Sequence, residues 1–137
     1  MDRILFIMPG NEKTGQALIS GTGAEKGRFV FRRFPDSESY VRVLSDVRGK
    51  DALVVCTLDR PDDKLLPLLF LCRLLREMDA RSVSLIAPYL AYMRQDKRFN
   101  PGEAITSEYF ASLLSTLAGS LITIDPHLHR RHTMAEI

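Results

Sequence analysis

The sequence predicts an α/β fold built on a mostly parallel sheet flanked by helices. Two observations carry that prediction. Ile4 to Met8, Ala52 to Thr57 and Ser82 to Ala87 are short, nearly continuous apolar runs, the pattern of strands covered on both faces. Between and after them lie stretches of helical length. Strands that alternate with helices pair in parallel, because a parallel crossover needs a connection far longer than a tight turn.

The elements follow in order. Ile4 to Met8 ends in Pro9-Gly10 and reads as a strand and turn. Thr14 to Ile19 is a short helical stretch closed by Gly21-Thr22-Gly23. Arg28 to Phe34 alternates Phe29 and Phe31 with Val30 and Arg32, and Tyr40 to Val43 alternates as well. These are antiparallel strands joined by a turn over Pro35-Asp36-Ser37-Glu38-Ser39. After Ala52 to Thr57, Asp62-Asp63 supplies acidic residues for a helix start, and the helix runs to about Met78. Pro67 is expected in its first turn, where a missing N–H is harmless. Ser82 to Ala87 is the next strand. Ile105 to Leu117 carries Ile105, Tyr109, Leu113, Leu114 and Leu117 on one helical face, with Gly119 closing it, and Leu121 to Ile124 is the last strand. No internal repeat or low-complexity segment interrupts the pattern.

A length of 137 residues fits one domain. Hydrophobic content of 45% and charged content of 26% are those of a soluble globular chain. The net charge of +2, with scattered arginines, argues against a general nucleic-acid surface. Met1-Asp2-Arg3-Ile4 lacks the charged-then-apolar opening of a signal peptide, and no apolar run approaches the ~20 residues of a membrane span. Cys56 and Cys72 have no motif spacing and read as buried thiols of a cytoplasmic protein.

The richest segment runs from Pro88 to Glu103. A strand ends in a proline, followed by aromatics, a basic cluster, a Pro-Gly turn and a new helix. In open α/β sheets ligands bind at the carboxyl ends of strands. Arg94, Lys97 and Arg98 favour an anionic ligand, and Tyr89, Tyr92 and Phe99 offer flat surfaces for a ring. A nucleotide or sugar phosphate fits both.

Other constellations have two readings each. Asp125 and His127 are two apart at a strand end, so both can project to one side as ligands for a divalent cation, or they belong to a solvated tail. Asp36 and Glu38, after Phe34, either face water or accept hydrogen bonds from a base or ribose. Gly10 to Gly15 and Gly21 to Gly23 look like phosphate loops, but neither fits the P-loop spacing, and both read as turns. Leu65 to Leu75 is apolar nearly all round, which suits core or a surface for a second subunit. The chain stops soon after Asp125 to His132, with no further helix to cover the sheet, as though part of something larger.

Three ordered motifs carry a family resemblance: Arg33-Phe34-Pro35-Asp36-Ser37-Glu38, the Pro88 to Glu103 segment, and Ile124-Asp125-Pro126-His127. Over essentially the whole chain, Arg3 to Ile137, it resembles the amino-terminal half of ribose-phosphate pyrophosphokinase (phosphoribosyl pyrophosphate synthetase), and looks nearest to the archaeal-type branch. The resemblance implies a phosphoribosyltransferase-like fold for residues 1–137, a magnesium cofactor, and the partners ATP and ribose 5-phosphate. It implies attack of the sugar C1 hydroxyl on the β-phosphorus of ATP, with pyrophosphate transferred and AMP leaving. By the same resemblance Phe34 would stack on adenine, and Asp36, Ser37 and Glu38 would hold the base of an ATP bound largely by a neighbouring subunit of a homodimer or larger assembly. Arg94 and Gln95 would contact ATP from the other side, with Asp96 ordering the loop. His127 would hold magnesium, supported by Asp125.

The chain departs from the family pattern in places. The commoner bacterial motif has glycine where Ser37 stands, many relatives have leucine where Pro126 stands, and His129 to His132 replace a glutamine- and phenylalanine-containing segment. The family's carboxyl-terminal domain, with its ribose-phosphate loop and catalytic lysine, has no counterpart here. The expectation is therefore an enzyme fragment inactive by itself. The competing reading is a non-catalytic homologue that regulates or assembles with a full-length synthetase.

Overall fold

The computed structural model describes residues 2–124, 126, 128 and 133–136. In chain order the elements are β1 (Arg3–Ile7), α1 (Glu12–Thr22), β2 (Glu25–Lys26), β3 (Phe29–Arg33), β4 (Ser39–Val43), β5 (Asp51–Val55), α2 (Asp62–Glu77), β6 (Ser82–Ala87), α3 (Thr106–Leu117) and β7 (Ser120–Thr123), followed by a short 3-10 turn at Met134–Glu136. Five strands form one sheet in the order β2-β1-β5-β6-β7, and every neighbouring pair is parallel. β3 and β4 pair antiparallel as a separate hairpin, in the register Phe29↔Val43 to Arg33↔Ser39. The expected fold class is therefore present.

Alternation along β1 divides its side chains between two layers. Ile4 and Phe6 join Val54, Leu85, Leu68, Leu71, Leu75, Leu114 and Leu117 in the larger core beneath α2 and α3. Leu5 joins Val55, Ala24, Leu18 and Ile19 beneath α1. The second layer is thinner. Ile7, Leu53 and Ile86 stay half-buried there, and Ile122 of β7 is exposed. Among the described residues, no helix is long and apolar enough to cross a membrane.

Several elements differ from the sequence expectation for identifiable reasons. α1 begins at Glu12, before the expected Thr14, because the Glu12 carboxylate accepts the Gly10 N–H at 3.0 Å and so satisfies a donor at the helix start. Those backbone donors also lower the Glu12 carboxyl below its ordinary pKa. Gly21 and Thr22 belong to the last turn of α1, and only Gly23, at φ +68°, is the terminating residue. β2 was unforeseen because its two residues are exposed and polar. α3 ends at Leu117 with an extended Ala118, and Gly119 serves instead to open β7, its N–H donating to the Val83 carbonyl at 2.9 Å.

α2 agrees with one expectation and corrects another. Within Leu65 to Leu75, Leu68, Leu71, Cys72 and Leu75 form the buried stripe and the outer face still carries exposed Leu66 and Phe70, with Arg73, paired to Glu77 at 3.7 Å, as the charged residue of that stretch. Pro67, however, lies in the second turn, not the first, since the helix begins at Asp62. A proline in a helix interior costs about 3 kcal/mol relative to alanine, so the carbonyl it leaves unbonded, that of Asp63, needs another donor. It takes one from outside the helix, the Arg33 guanidinium at 2.9 Å.

Gly15 sets how closely α1 can approach the sheet. A Cβ there would fall 2.5 Å from Cδ1 and Cγ1 of Ile7. Overpacking of that kind costs about 1 to 3 kcal/mol, against a helix-propensity gain of about 1 kcal/mol for alanine over glycine. Gly15→Ala is therefore expected to lower the denaturant midpoint. In an Ile7→Ala background the sign reverses, and the same substitution becomes neutral or stabilising by up to about 1 kcal/mol.

Candidate functional site

The sheet order reverses between β1 and β5, the place where an open α/β sheet usually takes its ligand. Here Asn11 fills that crevice. It is 4% exposed, its Oδ1 accepts the Thr57 N–H at 2.8 Å, and its amide donates to the carbonyls of Met8 at 3.1 Å and Pro9 at 3.2 Å. The open cleft lies one strand over, at the carboxyl ends of β5 and β6. It measures about 610 Å³, and its lining includes Asp59, Asp62, Tyr89, Tyr92, Arg94 and Gln95.

The loop from β6 to α3 forms one wall. Leu90, Ala91 and Met93 are buried and anchor it, which leaves Arg94 exposed and Gln95 and Asp96 half-buried. Tyr92 departs from its expected role as an open ring surface. Its ring packs on Phe110 with centroids 5.0 Å apart, and its hydroxyl donates to the Asp62 carboxylate at the start of α2. That bond raises the phenol pKa, because it favours the neutral form. Tyr92 also sits at φ +63°, in the left-handed region. A non-glycine residue there costs roughly 1–2 kcal/mol, so its contacts must hold it. Tyr92 is thus a fixed wall, whereas Tyr89 and Phe99, 40% and 50% exposed, keep open ring surface. The Lys97 ammonium lies 5.0 Å from the Phe99 ring centre.

Glu103 is the hub of this loop. Its Oε2 accepts from the Gln95 amide at 3.0 Å and from the Phe99 N–H at 3.1 Å, and its Oε1 accepts from the Asn100 amide at 2.6 Å. Gln95 donates as well to the Lys97 carbonyl at 2.8 Å. These donors, Asn100 first, hold the Glu103 carboxyl below its usual pKa. Asp96 lies inside the same segment, but Glu103 is the carboxylate whose bonds span it. Across the cleft, Asp59 is paired with Lys64, which lowers its pKa in turn, and Lys64 also donates to the Thr57 carbonyl at 3.0 Å.

The second group of expected residues sits on the β3–β4 turn. The Phe34 N–H donates to the Glu38 carbonyl at 2.8 Å, the Ser37 N–H to the Phe34 carbonyl at 2.9 Å, and the Glu38 N–H to the Asp36 carboxylate at 3.1 Å. Ser37 stands at φ +74°, a conformation glycine adopts without strain, so serine is the strained choice at this position. Phe34 is 39% exposed and meets Tyr40 edge-on at 5.9 Å, with the Arg32 guanidinium 4.8 Å and 4.3 Å from the two ring centres. The turn faces Leu66 and Phe70 of α2 across an open groove of about 470 Å³.

Arg94, Gln95 and Asp96 are thus brought together on one loop, and Phe34, Asp36, Ser37 and Glu38 on one turn. Arg94 and Gln95 line one groove and Asp36, Ser37 and Glu38 the other, and the two grooves share Asp62 and Asp63 as a common wall. Asp125 and His127 lie outside the described residues, as do His129 to His132. Among the described residues, no cluster of three or more His, Cys, Asp or Glu is set to hold a metal ion. Cys56 and Cys72 are buried and unpaired, and burial pushes their thiols up to about 11 and about 12, as suits inert core residues. The sequence reading named Asp62 only as a helix start, and Arg33 and Glu103 only as ends of motifs, and gave none of the three a role in the site.

Comparison with known proteins gives a consistent result. The family model for the N-terminal domain of ribose phosphate pyrophosphokinase matches residues 3–119. The ribose-phosphate pyrophosphokinase of Saccharolobus solfataricus is 43% identical over 96 residues, covering 69% of this chain and 33% of that protein. Ribose-phosphate pyrophosphokinase 1 of Streptococcus pneumoniae is 33% identical over 129 residues, covering 92% of this chain and 40% of that protein. This chain therefore spans about a third to two fifths of the length of these relatives. The crystal structure of phosphoribosylpyrophosphate synthetase from Mycobacterium smegmatis superposes with a TM-score of 0.84 at 26% identity, over 91% of this chain and 43% of that one. A hypoxanthine-guanine phosphoribosyl transferase from L. donovani, at a TM-score of 0.50 and 14% identity, shares the fold.

The Glu103 hub is testable. Alanine in its place would remove the acceptor for all three donors. Glu103→Ala is expected to release the Gln95 side chain and to speed amide exchange at Phe99. The sign of the pH dependence follows from the lowered carboxyl. Its contribution is fully present above the unfolded glutamate pKa and is lost as pH falls through the folded value. The Phe99 amide resonance should therefore titrate with a midpoint below that of an ordinary glutamate.

Proposed function

This chain belongs to the ribose phosphate pyrophosphokinase family, matching its amino-terminal domain, and from that premise we propose that it supplies the ATP-binding half of an enzyme that transfers pyrophosphate from ATP to ribose 5-phosphate. One observation supports this most directly. An exposed Arg94 beside Gln95 rims a cleft of about 610 Å³ at the carboxyl ends of parallel strands, next to the exposed ring of Tyr89. Transfer of a phosphoryl-type group depends mainly on positioning and charge neutralisation. Arg94 would supply a planar cation for phosphate, and Gln95, fixed by Glu103, a directed amide. Asp96 would help hold the loop.

Phe34 would stack on adenine, with Asp36, Ser37 and Glu38 accepting or donating hydrogen bonds at the base. A nucleotide touched by both the turn and the loop would be held between two copies, as the family resemblance implies. Magnesium would neutralise phosphate charge, with His127 and Asp125 as the residues proposed to hold it. Ribose 5-phosphate would be bound mostly by the remainder of a longer enzyme, so the 137 residues alone are expected to release no AMP. A cytoplasmic setting goes with this reading.

Three measurements test it. Sedimentation at micromolar concentration is expected to show a dimer or larger species, the cheapest symmetric arrangement being cyclic. A clean monomer would remove the shared site. In a full-length enzyme carrying this domain, Arg94→Ala is expected to weaken ATP binding, and lysine to substitute poorly for a group that both stacks and pairs with phosphate. His127→Ala is expected to depress the rate and raise the magnesium requirement, since a metal ligand acts on charge developing in the transition state. An unchanged magnesium titration for His127→Ala would refute that role.

A further inference from the structure

We propose that Arg33 and Pro67 form a latch that holds the β3–β4 turn against α2, which makes Arg33 a positioning residue for Phe34, Asp36 and Glu38. The latch stands on geometry alone; only the use made of those three side chains rests on the nucleotide reading above.

In an α-helix each N–H donates to the carbonyl four residues earlier. Pro67 has no N–H, so the Asp63 carbonyl has no helical donor, and the pyrrolidine ring crowds that carbonyl from within the helix. Arg33 takes the vacancy. Its Nη2 donates to the Asp63 carbonyl at 2.9 Å while its Nη1 donates to the Ser37 carbonyl at 3.1 Å. One guanidinium therefore joins the turn to the helix through two main-chain oxygens. A planar fork can span two such acceptors at once, whereas an ammonium presents a single point of charge.

The rest of the hairpin explains why the tip needs this. Its base is held by apolar packing, with Val43 buried and Phe29 and Val41 packed on the core. Every residue from Phe34 to Glu38 is exposed. The tip that carries the three side chains is thus held by polar contacts, and Arg33 makes the pair that reaches α2. A helix-interior proline, unfavourable in itself, is accounted for by the acceptor it leaves open.

The test is amide hydrogen exchange, followed by NMR in the 137-residue chain, with Arg33→Lys, Arg33→Gln, Pro67→Ala and the double variant Arg33→Lys/Pro67→Ala. Each single variant is expected to speed exchange at the Phe34 and Ser37 amides by about fivefold, the worth of an ordinary hydrogen bond. The β5 amides should stay unchanged and show that the sheet is intact. Pro67→Ala is the telling case, because it leaves the hairpin untouched, improves the helix, and offers the Asp63 carbonyl a competing donor. The double variant should match Arg33→Lys alone, since a latch already open cannot open twice. Hairpin exchange at the wild-type rate in Pro67→Ala, or effects that multiply in the double variant, would overturn the latch. Should Pro67→Ala lose β5 protection as well, Arg33→Gln decides the matter by the same hairpin amides. ATP titration with magnesium then reads the positioning role: affinity should fall in step with hairpin opening, and unchanged affinity in an opened hairpin overturns it. A wild-type chain that binds no ATP sinks the nucleotide reading and leaves the exchange data to judge the latch.

Discussion

The parallel ladder of β1, β5 and β6 is the constraint on which the molecule depends. It runs in register from Arg3↔Asp51 to Ile7↔Val55, and from Asp51↔Ser82 to Val55↔Ile86. The pairing does not stop with the strands. The Met8 N–H donates to Val55 at 3.0 Å, Cys56 to Ile86 at 2.9 Å and Leu58 to Tyr89 at 3.0 Å. The floor of the cleft is therefore main chain hydrogen-bonded to main chain. A parallel pair sends each strand on into a long connection at the same edge, so the loops after β1, β5 and β6 meet there without further instruction. Buried strands supply rigidity, and function is left to the segments that leave them.

What those segments become is decided by which of them closes. Asn11 satisfies three main-chain groups at the point where strand order reverses, and the crevice there is filled by protein. The connection after β6 has no such plug. Its apolar residues turn inward, and Glu103 gathers the amides of Gln95, Phe99 and Asn100 from one direction. A carboxylate that accepts three donors from its own loop is a scaffold and not a ligand group. Its charge is already committed, whereas Arg94 stays exposed in the cleft beside the exposed ring of Tyr89.

How much of this was legible depends on what kind of force holds each part. Ile4 to Met8, Ala52 to Thr57 and Ser82 to Ala87 announced their strands because burial on both faces demands continuous apolar residues. The hairpin was visible in the alternation of Phe29 to Arg32 and Tyr40 to Val43. β2 was not, because Glu25 and Lys26 pair only through main chain and carry no pattern. The start of α1 was misjudged because Glu12, whose carboxylate accepts the Gly10 N–H just before the helix, looks like any surface carboxylate. Pro67 was placed in the wrong turn for a deeper reason. The rule that keeps proline out of helix interiors assumes an unmet carbonyl, and here it is met by a residue thirty positions away. Arg94 was found through composition and position and Gln95 through the family resemblance, whereas the hydrogen bonds that fix Gln95 have no signature in composition. Asp125 and His127 fall outside the described residues, so their reading still rests on the sequence.

The two halves of the candidate site are held by different physics, and that difference has a consequence. The cleft is built from buried strand ends whose contacts are lost only with the sheet itself. The hairpin tip is held by exposed hydrogen bonds, each contributing on the order of 1 kcal/mol, so it can open while the sheet stays folded. Ser37 at φ +74° adds strain at the same place. Under the proposal of a site shared between two copies, the tip would have to meet a surface presented by another molecule. Apolar burial would fix it to its own chain too firmly for that, and no anchor at all would leave an ordering penalty to be met on every encounter. A latch of main-chain acceptors and one guanidinium lies between those limits. It holds Phe34, Asp36 and Glu38 near one geometry and releases them at small cost, so a polar contact serves the tip while apolar packing on the core is kept to the base of the hairpin.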